Sequence, residues 1–446
     1  MRTIIIGAGE VGYQVAKYLA IEGVEVVLID KDGNKLKKIA EELDVGVIEA
    51  EGGDPNALKK AGADNADLLL AVTNSDETNM IACLLAKSMF NVKKKIARIR
   101  NPDYYFNKIL LSKENLDIDS VINPELEAAN AIIRLLEIPF ASEVLEFERG
   151  KVLIIAYKIP ENSYLIGKKL KELRSSIKKD FIIGIIVRDE EVIIPRGEDY
   201  IKQGDLIYLL VKKEDINEIA KIFGEAEKID KKIMIVGGGR IAFYIASNIE
   251  EKAEIKIIEK NSEKCRILSE KLNNSLVLCG DGTDKNLLLQ ENIQDMDVFI
   301  ATSHSDELNI ISCLLAKKLG VRRTIAIVNK SEYVSLAHHL GIQSVINPRL
   351  LTASMILRYI RKGQILSLSA IGEHEAEIME VELEPISYII NKPLEKIKFP
   401  KNTIIGIIIR GKKIILPSGK DILYEKDRVI FFTHKDSIKS LEKLLK

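Results

Sequence analysis

The sequence predicts an α/β protein with two Rossmann-like, doubly wound parallel-sheet domains, each followed by a small α+β module. Three observations predict this fold. Strand and helix patterns alternate along the first part of the chain, a glycine-rich turn follows the first predicted strand, and both features recur in the second half. Alternating strands and helices give a parallel sheet covered by helices on both faces.

An internal repeat organises the whole chain. Its period is about 225 residues, which indicates a tandem duplication rather than a solenoid of short repeats. The matching segments are Ile6-Gly7-Ala8-Gly9 with Val236-Gly237-Gly238-Gly239, Ser75-Asp76-Glu77 with Ser305-Asp306-Glu307, and Val121-Ile122-Asn123-Pro124 with Val345-Ile346-Asn347-Pro348.

The first part of each repeat alternates between strand and helix patterns. In the first copy the apolar runs predict strands at 2–7, 24–30, 45–50, 68–72 and 95–100. Helical spacing of apolar residues predicts helices at 11–22, 34–42, 55–61 and 77–89. We therefore expect Rossmann-like domains at 1–124 and 231–348.

The second part of each repeat predicts a small α+β module. In the first copy, short strands are expected at 152–158, 181–188, 192–194 and 206–211, with helices at 167–174 and 214–223. The modules should cover 140–224 and 364–446. An apolar helix after an Asn-Pro turn lies before each module, at 125–136 and 349–360. These helices are placed to bridge domains or subunits, although ordinary packing would also explain them.

Composition excludes several classes of protein. Lys+Arg and Asp+Glu are both 66 in 446 residues, so the basic surplus of a nucleic-acid binder is missing. A hydrophobic content of 46% suits folded domains. The longest apolar runs are far shorter than the roughly 20 residues of a membrane-spanning helix. The glycine-rich start does not resemble a signal peptide, so we expect a cytoplasmic protein that reaches a membrane only through a partner.

The four cysteines show no metal-binding spacing. Cys83 and Cys313 lie in apolar helical stretches, and Cys265 and Cys279 have no CxxC partner. We expect all four to be reduced core thiols rather than metal ligands or disulfide partners.

The first glycine-rich turn predicts a dinucleotide site. Gly7-x-Gly9-x-x-Gly12 follows a strand and opens a helix, and Asp30 ends the next strand. The glycines permit the tight turn, close approach of a pyrophosphate, and helix–strand packing. The helix N-terminus favours negative charge, and Asp30 can accept hydrogen bonds from ribose hydroxyls. The candidate residues are Gly7, Ala8, Gly9, Glu10, Val11, Gly12 and Asp30.

The second copy keeps the pattern with changes. Ala242 takes the third glycine position, and Glu259 replaces the aspartate with a side chain one methylene longer that can still reach a ribose. The candidate residues are Gly237, Gly238, Gly239, Arg240, Ile241 and Glu259.

Further candidates follow the later strands. Asp54 and Asp281 come after the third strands, where each could approach the adenine, close the rim of the site, or only form a turn. Thr73 and Asn74 follow the fourth strand, at the edge where open α/β sheets bind ligands.

Arg98 distinguishes the two copies. It lies in the fifth strand, where it could pair with a phosphate or take part in a surface ion pair. The matching residue in the second copy is Ile327, so the second site lacks this cation.

Catalytic groups are scarce in this chain. It has only five His, and none stands in a nucleophile or metal spacing. His304, the one histidine near a predicted site, is matched by Asn74 in the other copy. The nucleotide is therefore expected to be a bound signal rather than a reactant, so no catalytic or metal site is predicted.

Taken together, these motifs resemble the RCK (regulator of potassium conductance) domain family. The resemblance rests on Gly7-x-Gly9-x-x-Gly12, Asp30, Gly53-Asp54, Thr73-Asn74-Ser75-Asp76-Glu77-x-Asn79 and Ala97-Arg98, together with Gly184, Pro195-x-Gly197, Gly406 and Pro417-x-Gly419 in the small modules. Two such pairs in one chain, with no membrane span, are similar to the TrkA family of peripheral subunits of Trk-type potassium uptake systems.

This resemblance implies a function and partners. It implies a cytosolic homo-oligomeric gating ring that binds NAD(H), and in some members ATP or ADP, beneath a potassium-translocating membrane subunit. Two other functions stay open. One is an NAD-dependent oxidoreductase, and the weaker one is a nucleotide-sensing transcription regulator, for which no basic helix-turn-helix is visible.

Overall fold

A computed structural model describes residues 1–21, 23–177, 179–224, 231–360, 365–371 and 375–445. Glu22, His374 and positions 364 and 446, which the sequence analysis used, lie outside these ranges. The chain divides into two units, one of residues 1–129, 328–333 and 347–360, and the other of residues 130–327, 334–346 and the remainder. The predicted fold class is confirmed, with two parallel and two antiparallel sheets.

The first parallel sheet has six strands in the order β3-β2-β1-β4-β5-β6. Its strands are β1 (Arg2–Ile6), β2 (Glu25–Asp30), β3 (Gly46–Glu49), β4 (Leu68–Ala71), β5 (Lys94–Arg98) and β6 (Ser120–Ile122). Its helices are α1 (Glu10–Ile21), α2 (Gly33–Glu42), α3 (Pro55–Lys60), α4 (Asp76–Ser88), α5 (Pro102–Tyr105) and α6 (Lys108–Leu111). The sequence analysis did not predict β6, α5 or α6.

The order of this sheet places the carboxyl ends of its central strands together. The order in which successive strands join the sheet reverses between β1 and β4, which pair in parallel from Thr3 with Leu68 to Ile6 with Ala71. Continuous apolar runs such as Leu68–Ala71 are buried because helices cover both faces. The crevice at this switch point is where doubly wound sheets bind ligands.

The first small module follows α7 (Pro124–Glu137) and is antiparallel. Its sheet order is β10-β9-β11-β8-β7. The elements are β7 (Glu143–Phe147), β8 (Val152–Lys158), α8 (Leu170–Ser176), β9 (Phe181–Arg188), β10 (Glu191–Ile193), β11 (Leu206–Lys212) and α9 (Ile216–Ile222). Strand β7 was not predicted, and α8 begins later than the predicted helix.

The second parallel sheet reproduces the first. Its order is β14-β13-β12-β15-β16-β17. The elements are β12 (Lys232–Val236), α10 (Arg240–Ile249), β13 (Glu254–Glu259), α11 (Ser262–Lys271), β14 (Ser275–Cys279), α12 (Lys285–Gln290), β15 (Val298–Ala301), α13 (Asp306–Lys318), β16 (Arg323–Ile327), α14 (Ser331–His339) and β17 (Ser344–Ile346).

The second small module follows α15 (Pro348–Ile360). Its sheet order is β18-β19-β22-β20-β21, from β18 (Ile365–Ile371), β19 (Ala376–Glu382), β20 (Thr403–Arg410), β21 (Lys413–Ile415) and β22 (Arg428–His434), and it ends with α16 (Ile438–Leu445). Where the first module has α8, this one has only a 3-10 turn, Leu394–Lys396. The other 3-10 turns are Ala63–Asn65, Glu148–Gly150, Lys213–Asp215, Ile293–Asp295 and Lys435–Ser437.

One aromatic ring explains the repeated glycines of the two modules. Side chains of both modules form a single apolar cluster that includes Ile185, Ile407 and Phe432. A Cβ atom on either Gly184 or Gly406 would overlap the ring of Phe432, so both positions must stay small. The repeated glycine therefore serves packing between the sheets.

Each linker helix contacts the other repeat. Helix α15, which follows the second parallel sheet, packs against α1 of the first. At the end of α7, the guanidinium of Arg323 in β16 donates to the carbonyl oxygens of Leu135 and Ala141 at 2.8 and 3.3 Å. These contacts favour the bridging interpretation of the two helices over local packing.

The cysteine prediction was wrong for one pair. Cys265 and Cys279 form a disulfide with their Cα atoms 6.0 Å apart, because α11 folds back over the edge strand β14. Cys83 and Cys313 are buried free thiols, as predicted. Burial raises the pKa of the Cys83 thiol to about 12.

Among the described residues, no helix has the length and apolar character needed to span a membrane.

Candidate functional site

The first glycine loop is shaped by Gly7 and Gly12. Gly7 has a φ of +106°, a region that favours glycine, and its N–H donates to the carbonyl of Ile29 at 2.8 Å. A Cβ on Gly7 would lie 3.0 Å from the backbone nitrogen of Thr73, and one on Gly12 would overlap the carbonyl oxygen of Gly7. Both glycines are therefore required by the turn itself.

Gly9 is different because the protein leaves the space beside it open. A Cβ built on Gly9 meets no atom within 4 Å. The fold therefore does not need glycine here for packing, which leaves the space for a ligand. This is the place where the fingerprint admits a pyrophosphate, against the first turn of α1 with Glu10 and Val11.

The carboxylate of Asp30 is held against the glycine loop. The N–H of Ala8 donates to its Oδ2 at 2.6 Å, and the N–H of Asp32 donates to its Oδ1 at 2.9 Å. Each carboxylate oxygen can accept more than one bond, so capacity remains for ribose hydroxyls. The two backbone bonds thus fix the orientation of the acid.

Asn79 joins the ends of two neighbouring strands. Its amide oxygen accepts from the N–H and hydroxyl of Thr73 at 2.9 and 2.7 Å, and its amide nitrogen donates to the carbonyl of Arg98 at 2.8 Å. The hydroxyl of Thr73 is thus occupied within the protein, whereas Asn74 is exposed at the rim. Asn79 orders this edge, a role that the sequence analysis did not assign.

Arg98 lies at the same edge and pairs with a carboxylate of α7. Its Nη2 is 3.4 Å from Oε1 of Glu125, and its side chain is only 16% exposed. The Nε atom is buried without a hydrogen-bond partner. Burial, more than the neighbouring charges, lowers the pKa of this guanidinium. Arg98 therefore belongs to a largely buried ion pair rather than to a surface one, and its Nε atom lacks a partner.

The two predicted aspartates do not occupy equivalent positions. Asp54 caps α3, accepting from the N–H of Asn56 at 2.8 Å, and Asp284 caps α12 in the same way at 2.9 Å. Asp281 instead accepts from the N–H and hydroxyl of Thr283 at 2.9 and 2.7 Å. The true counterpart of Asp54 is therefore Asp284.

Asp281 is held in its charged form by its neighbours. Its bonds from Thr283, followed by the ion pair with Lys260 at 3.1 Å, lower the pKa of its carboxyl to about 2. Its role as a helix cap explains the presence of Asp54 without a ligand. Asp281 is held in place by its bonds from Thr283 and its ion pair with Lys260.

Sequence reasoning missed Arg349 as a neighbour of the first site. It lies at the start of α15, and its Nη1 is 3.2 Å from Oε2 of Glu10 in the first turn of α1. A signal existed in the repeat, since Glu10 and Arg349 are matched by Arg240 and Glu125, with the charges exchanged.

The second glycine loop repeats the backbone geometry of the first. Gly237 has a φ of +95°, and its N–H donates to the carbonyl of Ile258 at 2.9 Å. The carboxylate of Glu259 accepts from the N–H groups of Gly238 and Asn261 at 2.6 and 2.8 Å. A Cβ on Gly239 meets no atom within 4 Å, so the same open space is present.

Close packing by Leu268 and Glu259 leaves no room for a side chain at Gly238. A Cβ on Gly238 would lie 2.9 Å from the Cβ of Glu259 and 2.6 Å from a methyl of Leu268. The first copy has Ala8 at this position, buried at 5% exposure. Ile327 replaces Arg98 and is buried at 2% exposure, so it supplies no charge to this edge.

The geometries of the two loops suit the binding of a phosphate-bearing ligand more than the catalysis of a reaction. The open space at Gly9 and Gly239, a helix N-terminus and an oriented carboxylate fit the pyrophosphate and ribose of a dinucleotide. Among the described residues, no group of three or more His, Cys, Asp or Glu is arranged for a metal ion.

Family models match most of the chain. The TrkA-N domain matches residues 3–124 and 233–348, and the TrkA-C domain matches 154–224 and 378–446. Trk system potassium uptake protein TrkA homolog 1 of Methanosarcina mazei is 39% identical, with 100% of both chains covered. Trk system potassium uptake protein TrkA of Azorhizobium caulinodans is 35% identical over 100% of this chain and 99% of that one. These names are not those of enzymes, which agrees with the prediction.

Solved structures with this fold include those of GsuK. The crystal structure of the GsuK RCK domain has a TM-score of 0.63 at 19% identity, covering 100% of this chain and 94% of that one. The GsuK channel bound to NAD has a TM-score of 0.63 at 18% identity, covering 100% of this chain and 78% of that one. GsuK bound to ADP has a TM-score of 0.53 at 15% identity, covering 81% of this chain and 69% of that one. At these identities the likeness concerns the fold.

Proposed function

The chain belongs to the TrkA family, and from that premise we propose that it is the regulatory subunit of a potassium uptake system. In this proposal it binds NAD(H) at its first glycine loop and thereby controls potassium flux through a separate membrane subunit. It works as a homo-oligomeric ring on the cytoplasmic face of the membrane.

The observation that carries the proposal is the first glycine loop. Gly9 faces open space, while the carboxylate of Asp30 is fixed by the N–H of Ala8 at 2.6 Å. A fold that needed glycine only for packing would fill the space beside Gly9, as it does beside Gly12. This contrast supports a ligand at Gly9.

Nucleotide identity follows from the charges around the loop. Asp30 favours an adenosine ribose with a free 2′-hydroxyl, which supports NAD(H) over NADP(H) and also admits ADP or ATP, whose terminal phosphate Arg98 would suit. Structures of GsuK bound to NAD and to ADP support both ligands. The residues proposed for the first site are Gly7, Ala8, Gly9, Glu10, Val11, Gly12, Asp30, Asp54, Thr73, Asn74 and Arg98; those for the second are Gly237, Gly238, Gly239, Arg240, Ile241, Glu259 and Asp281.

Regulation requires the ligand to prefer one state of the assembly. A ligand shifts a two-state equilibrium only through unequal affinity for the two states. Moving it from 1:99 to 99:1 takes about 5.5 kcal/mol, so four equivalent sites would each supply about 1.4 kcal/mol, a roughly tenfold preference. Helices α7 and α15, which contact the opposite repeat, are the proposed transmitters.

Potassium flux tests this function directly. Liposomes holding the membrane subunit should change their flux when the protein and NADH or NAD are present together, and the membrane subunit alone should not respond to nucleotide. Steady NADH oxidation with a panel of small substrates, without any effect on flux, would favour the rival oxidoreductase.

A further inference from the structure

The Cys265–Cys279 pair lies immediately behind the acid of the second site. Cys279 ends β14 and is the register partner of Glu259 in the neighbouring strand β13. Cys265 lies in α11, with its Sγ 3.2 Å from the carbonyl oxygen of Glu259. The bond therefore ties helix α11 to the edge strand around the residue that orients the glycine loop.

This pair belongs to the second repeat alone. The positions that correspond to Cys265 and Cys279 in the first repeat are Leu36 in α2 and Glu49, the register partner of Asp30. The backbone bonds from the acid to the loop are otherwise shared. The first site is therefore a matched reference within the same molecule.

We propose that Cys265 and Cys279 are a reversible dithiol–disulfide site that raises the affinity of the second site for nucleotide when oxidised. The inference rests on the proposed nucleotide-binding function. Strand β14 is at the edge of its sheet and has one neighbouring strand, so a covalent tie to α11 restrains it. Restraining a site in its bound conformation lowers the entropy lost on binding.

The oxidant in this proposal is a low-molecular-weight disulfide such as oxidised glutathione. Cys279 is exposed and Cys265 is 4% exposed, so Cys279 reacts first. Its thiolate attacks the disulfide, forms a mixed disulfide and releases one thiolate. Cys265 then attacks the sulfur of Cys279, the protein disulfide forms, and a second thiol leaves. Dithiothreitol restores both protein thiols by two thiol–disulfide exchanges and is itself oxidised to its cyclic disulfide.

Cysteine alkylation read by mass spectrometry tests whether the bond forms, and amide hydrogen exchange tests whether it restrains α11 and β14. Neither measurement needs a ligand. The full chain is incubated with oxidised glutathione or with dithiothreitol and then alkylated. We expect two fewer alkylated cysteines after oxidation, at Cys265 and Cys279, and slower amide exchange in α11 and β14. The Cys279→Ser variant, altered at the exposed member of the pair, should show neither change. Unmodified thiols after oxidation, or unchanged exchange in the bonded protein, would overturn the proposal.

Titration with NADH then measures the effect on each site. In the Gly9→Val background, which leaves the second site, oxidation should tighten binding roughly fivefold. In the Gly239→Val background, which leaves the first, affinity should not change. Equal affinity of the oxidised and reduced second site would contradict the proposal. No binding in either background would count against the nucleotide function instead, and the mass and exchange data would still decide whether the pair forms the restraint.

Discussion

The two glycine loops share their backbone bonds but differ in the side chains that surround them. In both, an acid at the end of the second strand accepts from the loop, through Asp30 in one copy and Glu259 in the other. Arg98 ends β5 of the first parallel sheet, whereas its counterpart in the second sheet is the buried Ile327 at the end of β16. The comparison teaches that duplication preserved the scaffold, while the groups that would meet phosphate diverged.

The largest expected difference concerns the third glycine of each loop. Gly12→Val should destabilise the first domain by about 3 kcal/mol, because the added carbons overlap the carbonyl of Gly7. The matched change Ala242→Val enters a position that already holds a Cβ atom, so it should cost less, about 1 kcal/mol. Calorimetric unfolding of the full chain measures both, and equal losses would mean that the two turns are not built differently.

Substitution of the middle glycine should remove binding at one site at a time. Gly9→Val should weaken NADH binding at the first site about 100-fold, equivalent to roughly 2.7 kcal/mol, while folding survives because the space is open. Gly239→Val is the matched change in the second loop. Isothermal titration of both variants assigns the sites, and undiminished affinity in Gly9→Val would contradict the pyrophosphate position.

The cation of the first site should matter only there. Arg98→Ala should weaken binding of ADP or ATP by about 2 kcal/mol, roughly thirtyfold, through loss of a charge-assisted bond. Ile327→Ala, which removes no charge, should leave affinity nearly unchanged. If Arg98→Ala binds ADP normally, Arg98 serves only its ion pair with Glu125.

The smallest of these effects should be the discrimination of Asp30 against a ribose that carries a 2′-phosphate. A 2′-phosphate about 4 Å from Asp30 would cost up to about 4 kcal/mol per unit charge at an effective dielectric near 20. Solvent reduces this, so we expect at least about a tenfold preference for NAD over NADP at the first site. Competition titration measures it, with Asp30→Asn as the control. Equal affinities in the unmodified protein would mean that Asp30 does not face the ribose.

The sequence could predict the elements that local patterns determine. The glycine loops, their acids and the buried strands follow from spacing and periodicity, and the resemblance to the TrkA family is confirmed by the domain matches. The short strand Ser120–Ile122 carries too few residues for a periodic signal. Side-chain pairings depend on tertiary contacts, so neither the Cys265–Cys279 bond nor the contact of Arg349 with Glu10 could be derived from spacing.

The mistaken match of Asp54 with Asp281 has a local cause. Both follow a glycine after the third strand, and the sequence analysis aligned them by that feature. The helix caps show the register instead, since Asp54 and Asp284 each accept from the N–H two residues ahead. The helix caps therefore identify Asp284 as the counterpart of Asp54, which the shared Gly-Asp dipeptide had hidden.

The central claim is that nucleotide at the first glycine loop controls potassium flux through a membrane partner. The most direct measurement compares NADH-dependent potassium flux in liposomes holding the membrane subunit with the unmodified protein, Gly9→Val or Gly239→Val. We predict that Gly9→Val abolishes the response to NADH, whereas Gly239→Val retains most of it. A full response with Gly9→Val, in protein shown to have lost NADH binding at that site, would contradict the account.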